Sequence, residues 1–580
     1  MSTATSPPHF SERKDEHDGT VPLERPVFPD AEGDMKQGAV SSDEQLDRLK
    51  VDDNDLVGNL HFNSLSLYEK KSVLINREMD AMNEGCFWNL GRYQWCIFFL
   101  CGFGYFLDLC WAQIFGLVAG QIQQELDIAP ERIGDLSTLF AAGLTVGAFS
   151  WGLMVDIIGR RWAFNLSCLV ASVFGLIFAA PSNYGALLFF AFCTGLGVGG
   201  NIPIDATICL EFLPTRRRFL LCALSTFQPL GVVAASLISW GTVPRWACDT
   251  DYPACGGGVE PCCTRSSNMG WRYAILIIGF MTLAVFCVRF LIFTFHESPK
   301  FLIAKGHDSE ALEVLYRIAK FNKAAQPNLT IDDFKLLDAR AAEEVTQTSD
   351  DPITGGPSQL DTRQLARSRI KQAIGQLAHL KVLFSSKRRI WLTVSLWIAY
   401  MSLFFSFSIA GGYLPLILRQ KGIDTSMSLN ETYRSYVIIY LPGITATIFG
   451  AFLMEIPKLG RKFAMVFAAA LMGTSLFLFA TIDSQAAYTG MNLLEYWAQS
   501  LYAALLYAAT PEYFDARIRG TGSGFASTLG RLASVVAPVA AGTIFNARSN
   551  SVLYMAGGAA FVSMLAIGSL PYDTRGKHTF

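Results

Sequence analysis

Long apolar segments, separated by short polar ones, occupy most of the chain after residue 92. A helix needs about 20 mostly apolar residues to cross a bilayer. The pattern predicts twelve such helices, near 94–120, 133–155, 162–180, 185–212, 218–241, 271–294, 389–418, 434–456, 463–482, 490–511, 521–546 and 551–571. The sequence therefore predicts an all-α polytopic membrane protein with two six-helix halves.

Polar sequence flanks and divides these segments. The predicted domains are a disordered cytoplasmic tail (1–91), a six-helix bundle (92–295), a cytoplasmic insert (296–388), a second six-helix bundle (389–573) and a short tail (574–580). The first tail is rich in Ser, Asp, Glu, Lys and Pro, and has too few apolar residues to bury a core. Short helices are predicted near 67–82 in this tail, and at 309–322 and 363–381 in the insert.

The basic residues of the short loops predict the orientation, because cytoplasmic loops are enriched in Lys and Arg. The clusters on one side are Arg160 with Arg161, Arg216 to Arg218, Arg461 with Lys462, and Arg517 with Arg519. The first loop on the other side is mainly acidic. Both termini are therefore predicted to be cytoplasmic.

Two loop motifs occur twice, once in each half. A glycine, an acid and a Gly-Arg pair follow span two as Gly152, Asp156, Gly159 and Arg160, and follow span eight as Gly450, Glu455, Gly460 and Arg461. An acid and two arginines follow span four as Glu211, Arg216 and Arg218, and follow span ten as Glu512, Arg517 and Arg519. Both motifs recur after about 300 residues, which indicates a duplicated six-helix unit.

These residues carry a family resemblance. The segment from Gly152 to Arg161 resembles the signature loop of the major facilitator superfamily, and 296–302 (HESPKFL) resembles the motif after span six of sugar porters. The residues around Thr510–Glu512, Arg519–Gly522 and Gly530–Arg531 resemble the organic-ion and synaptic-vesicle-protein-related branch. The chain is thus similar to uncharacterised fungal transporters of this mixed type. The resemblance implies a major facilitator fold and a central cavity lined by spans one and four.

The glycines, acids and arginines of these loop motifs are candidate gating residues. They are Gly152, Asp156, Gly159, Arg160, Arg161, Glu211, Arg216, Arg218, Glu455, Arg461, Glu512, Arg517 and Arg519. Ion pairs between helix ends there can hold one side closed in one state and separate in the other, as alternating access requires. The alternative is that the arginines only anchor the cytoplasmic side.

Two acids inside apolar spans are candidate proton carriers. Asp108 lies in the middle of span one and Asp205 lies in span four. A carboxylate in hydrocarbon is costly and must face a cavity or a partner. The resemblance to sugar–proton symporters, which use a span-one aspartate, favours Asp108. The alternative for either acid is a structural pair with a buried arginine, such as Arg531 or Arg289.

Uncharged polar residues at membrane depth are candidate solute ligands. They are Tyr105, Asn201, Gln228, Tyr400, Tyr496 and Gln499. Each can donate a hydrogen bond to a hydroxylated or carboxylated solute. Each can equally join two helices by a hydrogen bond.

The loop between spans five and six contains Cys248, Cys255, Cys262 and Cys263. On the outer side it would be oxidised, so one or two disulfides are predicted with the pairing open. Asn430 begins a glycosylation sequon on the same side. These features favour the plasma membrane, and a vacuolar membrane also fits them.

Enzymatic chemistry finds no support in the sequence. The seven histidines form no metal-spaced cluster, no nucleotide-binding loop occurs, and no basic face suited to nucleic acid appears. We therefore expect no cofactor, and a monomer whose partners are a small solute, protons and the lipid bilayer. Three functions stay open: proton-coupled uptake of a sugar, polyol or organic acid; proton-coupled export of a metabolite or drug; and a sensor that no longer transports.

Overall fold

The computed structural model describes residues 65–83, 90–129, 132, 134–214, 217–249, 252–255, 262–292, 295–348, 383–420, 428–456, 459–481, 485–514, 518–545 and 549–571. The predicted helix at 363–381, the short tail at 574–580 and the candidate gating residues Arg216 and Arg517 lie outside these ranges.

Helices dominate the first half. They are α2 Arg92–Leu126, α3 Asp135–Ile158, α4 Arg160–Phe178, α5 Tyr184–Val198, α6 Asn201–Phe212, α7 Leu220–Leu224, α8 Phe227–Thr242 and α9 Gly270–Cys287, and they follow α1 Leu67–Asn83. The insert contains α10 Pro299–Ala304, α11 Asp308–Asn322 and α12 Ile331–Thr348. Helix α11 coincides with the helix that the sequence predicts at 309–322.

The second half repeats the plan of the first. Its helices are α13 Lys387–Gln420, α14 Leu429–Tyr440, α15 Pro442–Glu455, α16 Gly460–Phe479, α17 Gln485–Tyr513, α18 Arg519–Phe545 and α19 Ser549–Gly568. Span eight is divided between α14 and α15 at Pro442, whose missing N–H removes one helical hydrogen bond. Spans four and five are likewise divided, into α5 with α6 and α7 with α8.

Ten helical segments among the described residues are long and apolar enough to cross a membrane. Helices α17 and α18 fall outside this set but lie where the sequence predicts spans ten and eleven. Both carry polar residues along their length, including Glu495 in α17 and Arg531 in α18. The predicted all-α polytopic fold is therefore confirmed.

Glycines at two corresponding turns fix the start of α4 and α16. Gly159 has φ +98° and Gly460 has φ +66°, a region of backbone conformation that favours glycine. Each glycine is followed at once by an arginine: Arg160 is the first residue of α4, and Arg461 is the second residue of α16. We call this end of the bundle the motif end. The opposite end carries the cysteine loop, and we call it the disulfide end.

Helix α1 coincides with the helix that the sequence predicts near 67–82 in the first tail, whose residues 1–64 and 84–89 lie outside the described ranges. It packs against α10, α11 and α12 of the insert. Its side chains Val73, Leu74 and Ile75 are almost completely buried. Lys71 forms ion pairs with Asp308 and with Asp338, the latter at 2.7 Å. Apolar burial and these ion pairs hold α1 against the insert.

We expect Lys71→Met to loosen α1 from the insert. The substitution leaves Asp308 and Asp338 without their shared cation, which should cost about 1–3 kcal/mol. Hydrogen exchange of the α1 amides should accelerate by about tenfold or more. The matched control is Arg317→Met, because the Arg317–Glu313 pair is exposed and worth less than about 1 kcal/mol. Equal exchange in both variants would contradict the prediction.

Candidate functional site

Asp108 lies in the middle of α2 and is held by a short polar chain. The Nδ2 atom of Asn201, the first residue of α6, donates to its Oδ1 at 2.7 Å. The hydroxyl of Ser167 in α4 donates to the Oδ1 of Asn201 at 2.8 Å. Asp108 is only 3% exposed, and its Oδ2 has no hydrogen-bond partner in the part of the chain that the structure describes. Asn201 thus orients the acid and leaves one of its oxygens available.

Asp205 has a different environment. Its Oδ2 lies 3.4 Å from an Nη2 of Arg289, and both side chains are fully buried. The same Nη2 donates to the carbonyl of Leu100 at 2.8 Å, and the guanidinium lies 3.8 Å from the ring centre of Phe164. All these residues belong to the first half. Of the two readings left open for Asp205, the geometry favours the structural ion pair with Arg289.

Arg531 of α18 approaches Asp108 from the second half. Its Nη1 donates to the carbonyl of Leu144 in α3 at 3.0 Å, and Asp108, Tyr400 and Tyr507 lie within electrostatic range. No ion pair joins Arg531 to an acid among the described residues, and its buried Nε has no hydrogen-bond partner there. The proposed alternative of an Asp108–Arg531 ion pair is thus not formed in this structure.

Three of the candidate solute ligands lie in the region of Asp108. Tyr400 hydrogen-bonds to Thr510, and its ring lies 5.9 Å from that of Tyr507, beside Arg531. The Tyr105 hydroxyl donates to the carbonyl of Ile202 at 3.4 Å, next to Asn201. The structure therefore brings Tyr105, Asn201 and Tyr400 toward the same region as Asp108.

The other three candidate solute ligands lie on α8 and α17. Tyr496 hydrogen-bonds to Ser500, and its ring packs edge-on against Tyr440 at 4.9 Å, so it joins α17 to α14. Gln228 is buried with an unpartnered Nε2, and Gln499 is partly buried on α17. Sequence reasoning did not assign Arg531 or Tyr507 to solute binding. A cation inside an apolar span was the available signal for Arg531.

At the motif end of the first half, Arg160 gathers three acids. Its Nε and Nη2 donate to the two carboxylate oxygens of Glu211 at 3.3 and 3.2 Å, and Asp156 lies 3.4 Å away. Glu297 accepts hydrogen bonds from the backbone N–H groups of Arg160 and Arg161 at 2.9 and 3.2 Å. Glu297 thereby stabilises the amino end of α4, where a negative charge is favoured.

The second half reproduces the arginine–glutamate pair. Arg461 donates from Nε and Nη2 to the carboxylate of Glu512 at 2.9 and 3.2 Å. Glu455 ends α15, as Asp156 lies in the last turn of α3. The predicted duplication therefore extends to the paired side chains themselves.

The two halves meet directly at the motif end. Asp156 accepts hydrogen bonds from the backbone N–H and the hydroxyl of Thr521, at 2.9 and 2.8 Å, in the first turn of α18. Arg519 reaches Glu211 at 3.6 Å, and Arg218 lies within electrostatic range of Glu512. Each glutamate is thus approached by an arginine of the other half.

Gly152 and Gly524 allow this contact between α3 and α18. A Cβ added to Gly524 would lie 2.8 Å from the Cα of Gly152, closer than real side chains approach. Only hydrogen fits between the two helices at this point. The two glycines therefore set how closely the halves can approach.

Buried charged groups beside this contact have shifted pKa values. Burial lowers the pKa of Arg218 to about 10, an effect that Glu512 opposes. Burial also holds the pKa of Lys300 well below its usual range, and Arg218 and Arg519 add to this. The pKa of Glu297 is raised by burial, against the opposing effect of Arg160. Charge at the motif end is thus densely packed and sensitive to any loss of a partner.

The halves also meet at the disulfide end. The Tyr433 hydroxyl of α14 donates to the carbonyl of Leu117 in α2 at 2.6 Å and lies 3.1 Å from the Oε1 of Gln121. The Trp240 indole donates to the Oδ1 of Asn430, the sequon residue, at 2.6 Å. The two halves therefore contact each other at both ends of the bundle.

The cysteine loop forms two disulfides in the structure. Cys248 pairs with Cys263, and Cys255 pairs with Cys262. The loop between α8 and α9 is thus cross-linked by two disulfides, whereas its sequence leaves the pairing open.

Residues 95–538 match the family model described as Major Facilitator Superfamily. The chain belongs to this superfamily. It is a secondary transporter and not an enzyme, and its setting is the membrane. The family accounts for the polytopic helical plan and the repeated loop motifs.

Similar proteins place the chain within the superfamily. It is 33% identical to the MFS siderochrome iron transporter 1 of Ceriporiopsis subvermispora over 88% of this chain and 92% of that protein. It is 24% identical to the niacin transporter NiaP of Acinetobacter baylyi, over 78% and 87% of the two chains. The crystal structure of the proton:xylose symporter XylE superposes with a TM-score of 0.61 and 15% identity, covering 84% of this chain and 98% of XylE. This last likeness shows the fold alone.

Proposed function

We propose that this MFS transporter is a proton-coupled symporter of a small organic acid. The observation that carries the proposal is the placement of Asp108 and Arg531 on opposite halves of the central region. One is an acid with a free oxygen, and the other is a cation without a counter-ion among the described residues. A negatively charged solute would pair with Arg531, and a proton would neutralise Asp108.

Asp108 is the proton carrier. An ionised carboxylate buried at this depth is costly, so Asp108 is neutral when the site is closed to water and ionises when the site opens. Asn201 can donate to its Oδ1 in both protonation states, and the free Oδ2 can hold the proton. Asp205 carries no proton in this scheme, because Arg289 supports its charge.

Arg531 selects a carboxylate over a neutral sugar or polyol. A guanidinium presents a planar set of donors that matches a carboxylate, and a buried one favours an anionic partner. Tyr400 and Tyr507 beside it can complete the site. NiaP, named for niacin, transports a pyridine carboxylic acid, and its similarity supports the same solute class here.

The contacts at the two ends act as alternating gates. The motif end is cytoplasmic and closes through Asp156–Thr521 and Arg519–Glu211, and the disulfide end is outside and closes through Tyr433. Both termini are then cytoplasmic and Asn430 is on the outer side. This orientation rests on the loop arginines and fits the plasma membrane. One chain contains the whole pathway, so we propose a monomer.

The test is an uptake screen of organic acids, sugars and polyols in cells that express the full chain, with external pH recorded. We expect one acid to be taken up while the medium becomes alkaline. Asp108→Asn should abolish accumulation against a gradient, because its amide cannot exchange a proton. Solute exchange across the membrane without a gradient should survive in this variant, because Asn keeps the hydrogen bond with Asn201.

Two Arg531 variants distinguish the contribution of the positive charge from that of the side-chain shape. Arg531→Gln should raise the apparent KM by about a hundredfold, since losing one partner of a buried charge pair costs about 2–5 kcal/mol. Arg531→Lys should keep part of the uptake. Uptake of a neutral sugar instead of an acid would overturn the solute class. Absence of uptake of any solute, with the protein at the surface, would favour export or sensing.

A further inference from the structure

Glu495 is a second buried acid, and it lies in the half opposite Asp108. It occupies α17, ahead of the midpoint of the helix and so toward the disulfide end. Its side chain is 6% exposed, and its Oε1 has no hydrogen-bond partner in the region that the structure describes. Asp205, Glu211 and Glu512, which are also buried, each have an arginine partner. Glu495 and Asp108 have none there.

The helices around α17, as far as the structure describes them, place no basic side chain in an ion pair with Glu495. Titratable groups on three of these helices contact other residues of α17: Tyr440 contacts Tyr496, Tyr400 bonds to Thr510, and Arg461 binds Glu512. No ion pair joins Glu495 to a basic side chain among the described residues. A bare carboxylate at this depth would cost several kcal/mol. Glu495 must therefore bind a cation or a proton.

The environment of Glu495 suits a proton better than a metal ion. Hard cations need several oxygen ligands, and the described residues contain no cluster of three metal-ligating side chains. A proton needs only one carboxylate oxygen, and the neutral acid that results tolerates apolar neighbours. The neighbours Ala498 and Tyr502 on the same helix face are fully buried.

We propose that Glu495 is a second proton-binding carboxyl of the transport cycle, located in the second half near the disulfide end. This inference rests on the proposed proton coupling. Each half then contributes one proton-binding acid, Asp108 in the first and Glu495 in the second. The cycle loads a proton on each acid from the outside and releases both to the cytoplasm, two protons with each solute. The proton on Asp108 is required for accumulation, and the proton on Glu495 adds to its driving force.

The first experiment needs no transported solute. Infrared difference spectra of the full chain in lipid, recorded across a pH series, report the C=O band of each protonated buried carboxyl. We expect a band that disappears as pH rises, that is present in the wild type and in Asp108→Asn, and that is absent in Glu495→Gln. Asp332→Asn, an exposed acid of the insert, should leave this band unchanged.

Two results would overturn the proposal. One is a Glu495→Gln spectrum identical to that of the wild type at every pH. The other is a Glu495→Asp variant, which keeps a carboxyl, that shows no titrating band although it folds. A titrating Glu495 band in a protein whose Asp108→Asn variant still accumulates solute would instead refute the role of Asp108 and leave Glu495 standing.

The second experiment counts protons in proteoliposomes with the solute that the uptake screen identifies. The wild type should move about two protons with each solute, and Glu495→Gln about one, because one of two sites is lost. An unchanged ratio would contradict coupling at Glu495. Loss of solute binding with an unchanged infrared band would show instead that the residue holds a cationic solute group.

Discussion

Replacing Glu211 by glutamine is expected to open the motif end and to slow transport strongly. Glu211 neutralises Arg160 of its own half and Arg519 of the other, and all three side chains are almost completely buried. Removing one member of a buried charge pair costs about 3–5 kcal/mol, because the remaining charge is left without a partner. Part of this loss destabilises the state in which the two halves are in contact at the motif end, because Arg519 binds Glu211 only across that contact.

The amide of Thr521 reports this opening directly, because it donates to Asp156 across the same contact. Its hydrogen exchange in the Glu211→Gln variant should accelerate by about a hundredfold, the equivalent of about 3 kcal/mol. The uptake rate should fall by at least about tenfold, because a motif end that stays open cannot complete the cycle. Exchange mass spectrometry of the peptides that begin α18 measures the first effect.

A matched control lies at the disulfide end. Arg272 binds Glu125 with two hydrogen bonds, at 2.8 and 2.7 Å, and both side chains are as buried as the Glu211 pair. Glu125→Gln should lower the stability of the first half by a similar amount without changing exchange at Thr521. Acceleration at Thr521 in both variants would mean that general destabilisation, and not the inter-half contact, explains the result.

The fold and the motif end could be predicted from sequence because both follow from local patterns. The length and apolarity of each span determine the membrane helices, and a duplicated motif places Arg160 beside Glu211 and Arg461 beside Glu512 by symmetry. The cross-half pairing of Arg519 with Glu211 could not be predicted, since it depends on how closely two distant helices approach at Gly152 and Gly524.

The central site was only partly predictable for the same reason. A buried acid is visible in the sequence, but its partner is not. Asp108 and Asp205 look alike in their apolar spans, and only the packing shows that Arg289 reaches one of them. Glu495 lies within the predicted span ten, and its position there does not reveal whether it has a partner. Its lack of a partner is a property of the surrounding helices, which no local pattern records.

Asp205→Ala is expected to destabilise the protein far more than Asp108→Asn. The substitution leaves the guanidinium of Arg289 fully buried without its carboxylate, which should cost about 3–5 kcal/mol of folding free energy. Asn in place of Asp108 keeps the hydrogen bond with Asn201 and removes no ion pair, so stability should change by less than about 1 kcal/mol. Thermal unfolding of both variants in lipid nanodiscs measures the difference.

A double variant distinguishes a structural pair from a proton site. Asp205→Ala combined with Arg289→Leu removes both charges, and buried pairs replaced by apolar residues are often neutral in stability. We expect this variant to regain most of the lost stability and to retain proton-coupled uptake through Asp108. If the double variant regains stability but its uptake is no longer coupled to protons, Asp205 is the proton carrier. Asp108 would then have the structural role.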